Sequence, residues 1–397
     1  MRKLLDKVII LDLSRYQAGP YGTLILADFG ADVIKVEDPK KGDPGRRVTA
    51  YTQNGFDPYF ISMNRNKKSL TLDIKQKQGL KIFYELVKKA DVVYDNYRPE
   101  VPKSLRIDYE TLKRFNPKII SCHVTGFGHY GPYRDLPAFD QIAQAMGGGM
   151  SLTGDPGGIP KLMGLAIGDA AGGMFAAHGV LAALYHRAIT GEGQEIDISM
   201  LDCQVSISAF APQIYLASGE IPLPRGSADT IVGACLTVKT MDERYLFIAA
   251  VQDNQFERLC KVMGQEDLAK DPKFNSIDNR REHRDEINRI IEGAFLEKTA
   301  EEWLALLRKE SVPCGPINTV AQVVRDPHLL QRKMLVEVHH PKEGSLPVLG
   351  NPIKCSAMED GIFDPPPILG QHTEEILKGL LGLSKDDLKS LKDKGII

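Results

Sequence analysis

One carboxylate stands apart from every other candidate for chemistry in this chain. In residues 164–184, "GLAIGDAAGGMFAAHGVLAAL", Asp169 is the single acid, set among glycine and alanine at the start of a long run of small residues. Such an Asp has three readings. As a helix cap it would accept the free backbone N–H groups of the first turn. As a nucleophile it would attack an acyl carbonyl to form an anhydride or ester, with small neighbours leaving room for a bulky substrate and first-turn amides ready for an oxyanion. As part of a membrane span it fails: Asp169, His178 and the glycines interrupt the run, and an acid near a helix centre costs on the order of 2.5 to 3.5 kcal/mol on insertion. Cap and nucleophile share one geometry with different occupants, and both stay open at this level.

Other motifs carry less. "GFGHYG", residues 126–131, fits G-x-G-x-x-G, but a dinucleotide fingerprint needs its last glycine to open a helix, and Pro132 and Pro137 follow here. No G-x-S-x-G elbow, Walker lysine loop or H-E-x-x-H is present. The histidines do not cluster by spacing, except His339 and His340 in a segment expected to be exposed; His178 reads as a satisfied interior histidine.

The elements that must position Asp169 alternate in type. "VIILDL" (8–13), "DVIKVE" (32–37), "SLTLDI" (69–74), "DVVYDN" (91–96) and "KIISCHV" (118–124) read as strands, with helical patterns such as "KQGLKIFYELVKKA" (77–90) between them. That order predicts βαβ units, an open, mostly parallel sheet with helices on both faces, and ligand loops at the carboxyl ends of the strands. The pattern changes at "SGEIPLPRGS" (218–227). A strand pair, "LTVKT" and "YLFIAAV", and charged helices follow; "NRREHRDEINRIIEGAF" (279–295) reads as a solvated helix face. "DPPPILGQHTEEIL" (364–377) introduces what reads as the last helix.

Bulk properties agree. A chain of 397 residues exceeds one ordinary core, which predicts two domains. A net charge of −2 without a basic stripe argues against nucleic acid and anionic lipid as partners. The six scattered cysteines have no C-x-x-C spacing and read as reduced thiols in a cytoplasmic protein. "MRKLLDKVIILDLS" reads as a buried strand rather than a signal peptide, because Asp6, Lys7 and Asp12 interrupt it.

The blocks "LDLSRYQAGPYGTLILADFGADVIKVEDPKKGDPGR", "FISMNRNKKSLTLDIK", "ADVVYDNYRPEV", "TGFGHYGPYRDLPAFDQIAQAMGG", "GDAAGG", "TGEGQEIDISMLD", "VPCGPINT" and "LGQHTEEIL" resemble, in order and over nearly the whole chain, the class III CoA-transferases of CaiB/BaiF type. The resemblance implies an α/β fold: a Rossmann-like large domain from residues 1–217 together with 330–397, a smaller α+β domain from 218–329, and an interlocked-ring homodimer. It implies that Asp169 is the catalytic nucleophile, moving CoA from an acyl-CoA to a carboxylic acid through mixed-anhydride and aspartyl-CoA thioester intermediates. No tightly bound cofactor is implied; coenzyme A and acyl-CoA are substrates. For CoA it implies Gln17 and Ala18 after the first strand, Leu72 to Lys75, and the loop of Asn96, Tyr97 and Arg98.

Departures from the family pattern bear on the detail. Glu100 replaces a usual glycine and shifts the basic turn, leaving Lys103 and Arg106 as alternatives for the CoA phosphates. The small-domain loop reads "RGSADTIVGA" (225–234), where the family has a glycine pair, so acceptor choice does not carry over. Asp140 is expected to affect acceptor handling more than CoA affinity. Two other functions remain. The α-methylacyl-CoA racemases share the fold but carry His-Asp where this chain has Phe139 and Asp140, and phenylalanine cannot carry a proton. A CoA-binding protein without turnover would use Asp169 only as a cap.

Overall fold

The computed structural model describes residues 4–49, 57–229, 232–342 and 344–397. It divides into two compact units, one of Met1–Gly149, Met163–Ala209 and Pro327–Ile397, the other of Met150–Leu162 and Phe210–Asp326.

The first unit is built on six parallel strands: β1 (Ile9–Asp12), β2 (Asp32–Glu37), β3 (Lys67–Thr71), β4 (Val92–Asp95), β5 (Ile120–Thr125) and β6 (Glu195–Ser199), in the spatial order β3-β2-β1-β4-β5-β6. Five of them lie on the segments expected from sequence, β3 starting two residues earlier than "SLTLDI". The sixth, "EIDIS", is amphipathic and short, and only its pairing with β5 makes it a strand. Alternate residues enter two different cores. Leu11, Ile34, Val36 and Val93 pack with Phe83 and Leu86 and with Ile376, Leu377, Leu388 and Leu391 from the end of the chain. Ile10, Val33, Val92 and Ile120 face Leu26, Ala176 and Val180 on the other side. Both faces are covered, which is why these strands read as near-continuous apolar runs.

Four helices matter for the site: α1 (Ala18–Asp28), α2 (Pro58–Asn64), α3 (Asp140–Met146) and α4 (Ile167–Thr190). α1 and α4 cross with almost no side chain between them. A Cβ on Gly22 would sit 2.3 Å from Tyr94 Oη and 2.8 Å from the Gly173 carbonyl, and one on Gly173 would sit 2.7 Å from the Ala18 carbonyl. α4 is long and apolar enough to cross a bilayer, but its small residues, Ala176, Ala177, Val180 and Ala183, belong to the core of this unit.

Four local expectations are corrected. His178 is exposed rather than interior, because it lies on the face of α4 turned away from that core. His340 is fully buried in the hairpin Leu335–His340 with Gly344–Leu349, while only its neighbour His339 is exposed. The charge run 279–295 breaks at His283 into two helices, and Arg280 within it is 1% exposed, bonded to the carbonyls of Phe274 and Val251 and to Asp253. Thr373–Leu381 is followed by one more helix, Lys385–Asp393, whose Leu388 and Leu391 complete the first core.

The second unit has its own centre. Antiparallel strands Cys235–Lys239, Tyr245–Ala249 and Cys314–Pro316 pack against helices bearing Phe256, Leu259, Phe295 and Trp303. Trp303 stacks on Phe295 with ring centres 4.4 Å apart and donates its indole N–H to the Phe295 carbonyl.

A glycine-to-alanine pair tests the α1–α4 contact. Gly22→Ala should cost about 1–3 kcal/mol by overpacking and lower the melting temperature by several degrees, whereas Gly293→Ala, on a helix with open space around it, should leave stability unchanged or raise it by up to about 1 kcal/mol. Equal melting temperatures for the two variants would contradict the contact.

Candidate active site

The carboxyl ends of the parallel strands carry charges that are sealed from water and paired. Asp12, ending β1, is fully buried; burial alone would raise its pKa, but Lys67 and Lys35 outweigh it and hold the carboxyl below its usual range. One of its oxygens accepts the Ser14 amide at 2.9 Å, and the other accepts the Thr23 hydroxyl at 2.7 Å. Lys67 donates to the Pro20 carbonyl in the first turn of α1 at 2.9 Å, and its own pKa falls to about 8, chiefly through burial. Lys35 bonds the Ser14 carbonyl and lies 2.8 Å from Asp43. Asp43 accepts the amide of Tyr16, a non-glycine residue held at φ 62°. A left-handed backbone at such a residue is strained, and the Lys35–Asp43 pair holds it. Gln17 and Ala18 follow directly.

β1 and β4 are neighbours at the switch point of the strand order, where parallel α/β sheets open a crevice. Asn96, one residue beyond β4, clamps the two loops together by accepting from the Arg15 amide and donating to its carbonyl, both at 2.8 Å. Tyr97 lies under the Arg15 guanidinium and shares a 3.2 Å hydrogen bond with it. An open cleft, with a cavity of about 50 Å³, is lined here by Arg15, Asp43, Leu72, Lys75, Tyr97 and others.

Asp169 sits within the first turn of α4, and it is not the helix cap. That role belongs to Asp140, which opens α3 and is 5% exposed. Asp140 Oδ1 accepts the Gly168 amide at 2.8 Å and the Asp169 amide at 3.3 Å, and its Oδ2 accepts from Gln144 at 2.7 Å. Gln144 then straps the approach to α4, donating to the Leu165 carbonyl and accepting the Met163 amide. Gly168 admits this: a Cβ there would lie 3.1 Å from Asp140 Oδ1. With the first-turn amides engaged by another acid, the Asp169 carboxyl loses the help a helix N-terminus gives an anion. Burial, and then the charge of Asp140, push its pKa up to about 7. A half-buried carboxylate poised near neutrality is the condition in which an acid serves as nucleophile or base.

Of the residues expected from sequence to meet CoA, Leu72, Lys75 and Tyr97 line the cavity. Gln17 holds the N-cap position of α1 without capping it through its side chain, and Ala18 is buried in the α1–α4 contact. Asn96 is half-buried and occupied with Arg15; Arg98, Lys103 and Arg106 are exposed, and none of the three is part of the cavity wall. The loop 225–234 includes Thr230 and Ile231, which lie outside the described residues. "GFGHYG" opens no helix, in keeping with the rejection of a dinucleotide reading.

Sequence reasoning missed Tyr59 and Gln144. Tyr59 stands on α2, half-buried, and its phenol is raised above its usual pKa by burial and then by the charge of Asp169. The "DPYF" block marks a helix start, with Asp57 capping and Pro58 leading, but nothing local says that its tyrosine senses the charge of Asp169. Among the described residues, no group of three or more His, Cys, Asp and Glu side chains is placed to hold a metal ion.

Fold and site together define an α/β protein with a cleft at the carboxyl ends of its parallel strands and, at the start of α4, a half-buried carboxylate of raised pKa that is not among the residues lining that cleft. The model of CoA-transferase family III matches residues 5–373, and the chain belongs to that family. It is 37% identical to the succinyl-CoA–D-citramalate CoA-transferase of Chloroflexus aurantiacus, over 99% of this chain and 98% of that one. It is 35% identical to the formyl-CoA:oxalate CoA-transferase of Rhodopseudomonas palustris, over 100% and 98%. The crystal structure of a CaiB/BaiF family protein from Brucella suis superimposes with a TM-score of 0.85 at 36% identity, covering 96% of this chain and 100% of that one.

The raised pKa of Asp169 has a stability consequence of definite sign. An unfolded Asp titrates near 3.9, so the group's contribution is complete below that pH and is lost as pH rises through about 7. Asp169→Asn should therefore stabilise the fold at pH 8, by up to about 4 kcal/mol at about 1.4 kcal/mol per pKa unit, and change little at pH 4. A gain of equal size at both pH values, read by calorimetry, would contradict the assignment.

Proposed function

We propose that the protein moves CoA from an acyl-CoA to a carboxylic acid, with Asp169 as covalent nucleophile. The observation that carries this reading is the half-buried Asp169 carboxyl, raised to about 7 by burial and by Asp140, in a chain of CoA-transferase family III. Ionised Asp169 attacks the thioester carbonyl; the C–S bond breaks, CoA leaves as thiolate, and a mixed anhydride remains. The thiolate then attacks the Asp169 carbonyl carbon, giving an aspartyl-CoA thioester and releasing the donor acid as carboxylate. The acceptor carboxylate attacks that thioester, and the returning thiolate takes the acceptor acyl group, regenerating Asp169. No net proton moves, and neither metal nor redox cofactor enters the scheme.

The chain's own groups divide the work. Asp140 and Gln144 fix the start of α4 and keep Asp169 poorly solvated. Asn96 and Tyr97, with Leu72 and Lys75, receive the CoA, and the exposed cations Arg98, Lys103 and Arg106 are available to its phosphates. Asp140 acts on the acceptor half through Asp169 rather than by touching the acid, since its oxygens are occupied. The acids named for the relatives above, citramalate and oxalate, are dicarboxylic, which supports a short dicarboxylic acceptor. The racemase alternative gains nothing, because Phe139 precedes Asp140. All six cysteines are free, in keeping with a cytoplasmic setting. The partner we infer is a second copy: Tyr185 and Ile189 of α4 are 72% and 68% exposed, an apolar surface suited to an interlocked homodimer, so light scattering should return twice the 43.9 kDa chain mass; a monomer at micromolar concentration would refute this.

The decisive measurement is hydroxylamine trapping. Mixed with succinyl-, formyl- or acetyl-CoA and quenched with hydroxylamine, the enzyme should carry a hydroxamate at Asp169, seen by peptide mass spectrometry. Asp169→Asn should lose at least about a thousandfold in kcat while still binding CoA. Transfer that survives in the Asn variant would overturn the mechanism. Because the nucleophile must be ionised, kcat should rise with pH through a limb near 7, and Asp140→Asn should move that limb toward acid.

A further inference from the structure

A second group of titratable side chains lies one strand away from this chemistry. Asp95 ends β4, and His123 stands beside it on β5, the two residues paired in register. Both are sealed, Asp95 at 0% and His123 at 1% exposure. The Asp95 carboxylate is divided: Oδ1 accepts the amide of Tyr97 at 3.0 Å, and Oδ2 receives His123 Nδ1 at 2.8 Å. One oxygen therefore shapes the loop after β4 and the other is tied to the imidazole. Asp12 does the same for the loop after β1, with Lys67 behind it. In both, one carboxylate oxygen holds the amide two residues on and the other meets a buried cation.

We propose that His123 is a positioning residue for CoA binding: by anchoring Asp95 it keeps the loop of Asn96, Tyr97 and Arg98 in the shape that receives the CoA moiety. The inference rests on the proposed CoA-binding role of that loop. Its physical content is that a buried carboxylate deprived of its cation is uncompensated and must reorganise, and the nearest backbone it holds is Tyr97. From Tyr97 the disturbance reaches Arg15, through the hydroxyl contact and through Asn96, and hence the cavity wall.

The surroundings keep the charge on this imidazole. Nε2 faces the Ser121 hydroxyl at 3.1 Å and Glu195 of β6 at 3.4 Å. The His129 ring lies 4.7 Å away, and Asp197 of β6 faces His129. Cys122, Tyr94 and Tyr97 sense Asp95, and Asp108 faces Glu195. Burial opposes a charge on His123, but Asp95 and then Glu195 outweigh it and raise its pKa to about 10, whereas burial and the charge of His123 push His129 down. The pair's contribution to stability is thus complete below an ordinary histidine's 6.5, and the pair itself is lost as pH rises through about 10.

The test uses desulfo-CoA, which has no thioester to hydrolyse and no thiol to ionise, titrated calorimetrically into the full-length protein. His123→Gln should weaken binding roughly tenfold at pH 7.5 and raise the acyl-CoA KM to match, with kcat at saturation within about twofold, since only ground-state binding is removed. Glu195→Gln, at a side chain 45% exposed, leaves the fold intact and should move the alkaline loss of affinity down by roughly half a unit. Unchanged affinity in His123→Gln, a loss confined to kcat, or an unshifted profile in Glu195→Gln would each overturn the proposal. Failure of the wild-type protein itself to bind desulfo-CoA would instead overturn the CoA role of the loop, and the inference with it.

Discussion

The active end of this molecule depends on buried carboxylates that spend their oxygens on backbone amides. Asp12 holds the loop after β1, Asp43 holds Tyr16, Asp95 holds Tyr97, and Asp140 holds the start of α4. Loops at strand ends have no ladder to fix them, and a sealed carboxylate can fix one because its alternatives are costly. Each of the first three needs a cation behind it: Lys67, Lys35 and His123. Asp140 differs. Its oxygens meet only backbone amides and the Gln144 amide, so its charge stays uncompensated and is felt by Asp169.

That difference connects capping to chemistry. A helix N-terminus normally steadies an anion in its first turn. Here a second acid occupies it, and the first-turn acid is left raised in energy when ionised. A carboxylate so placed gains more from forming an acyl bond than one already satisfied by hydrogen bonds. The glycines serve the same end by letting backbones approach: Gly168 makes room for Asp140, and Gly22 and Gly173 bring α1, with Gln17 and Ala18, against α4.

Much of this was legible in the chain. Apolar runs of four to six residues, alternating with helical patterns, defined five strands of the parallel sheet because strands buried on both faces cannot alternate in polarity. β6 escaped because "EIDIS" is short and half polar, and its strand character comes from pairing with β5. Arg280 and His340 read as surface residues since their neighbours are polar; their burial is set by the tertiary fold. Asp169 is recognisable as an acid in an unusual setting, but nothing in its neighbourhood says that another acid holds the first-turn amides.

The amino-acid sequence by itself determined the class of fold and the family, because these rest on periodicity and the order of blocks, and it set Asp169 apart as a lone acid by residue type alone. Tertiary structure alone decided that Asp140, twenty-nine residues earlier, caps α4 in place of Asp169, that the Tyr59 phenol senses the charge of Asp169, and that His123 stands behind Asp95. Charge–charge contacts and burial are properties of distance in space. Residues far apart along a chain set one another's ionisation only after the sheet and helices have brought them within a few ångströms.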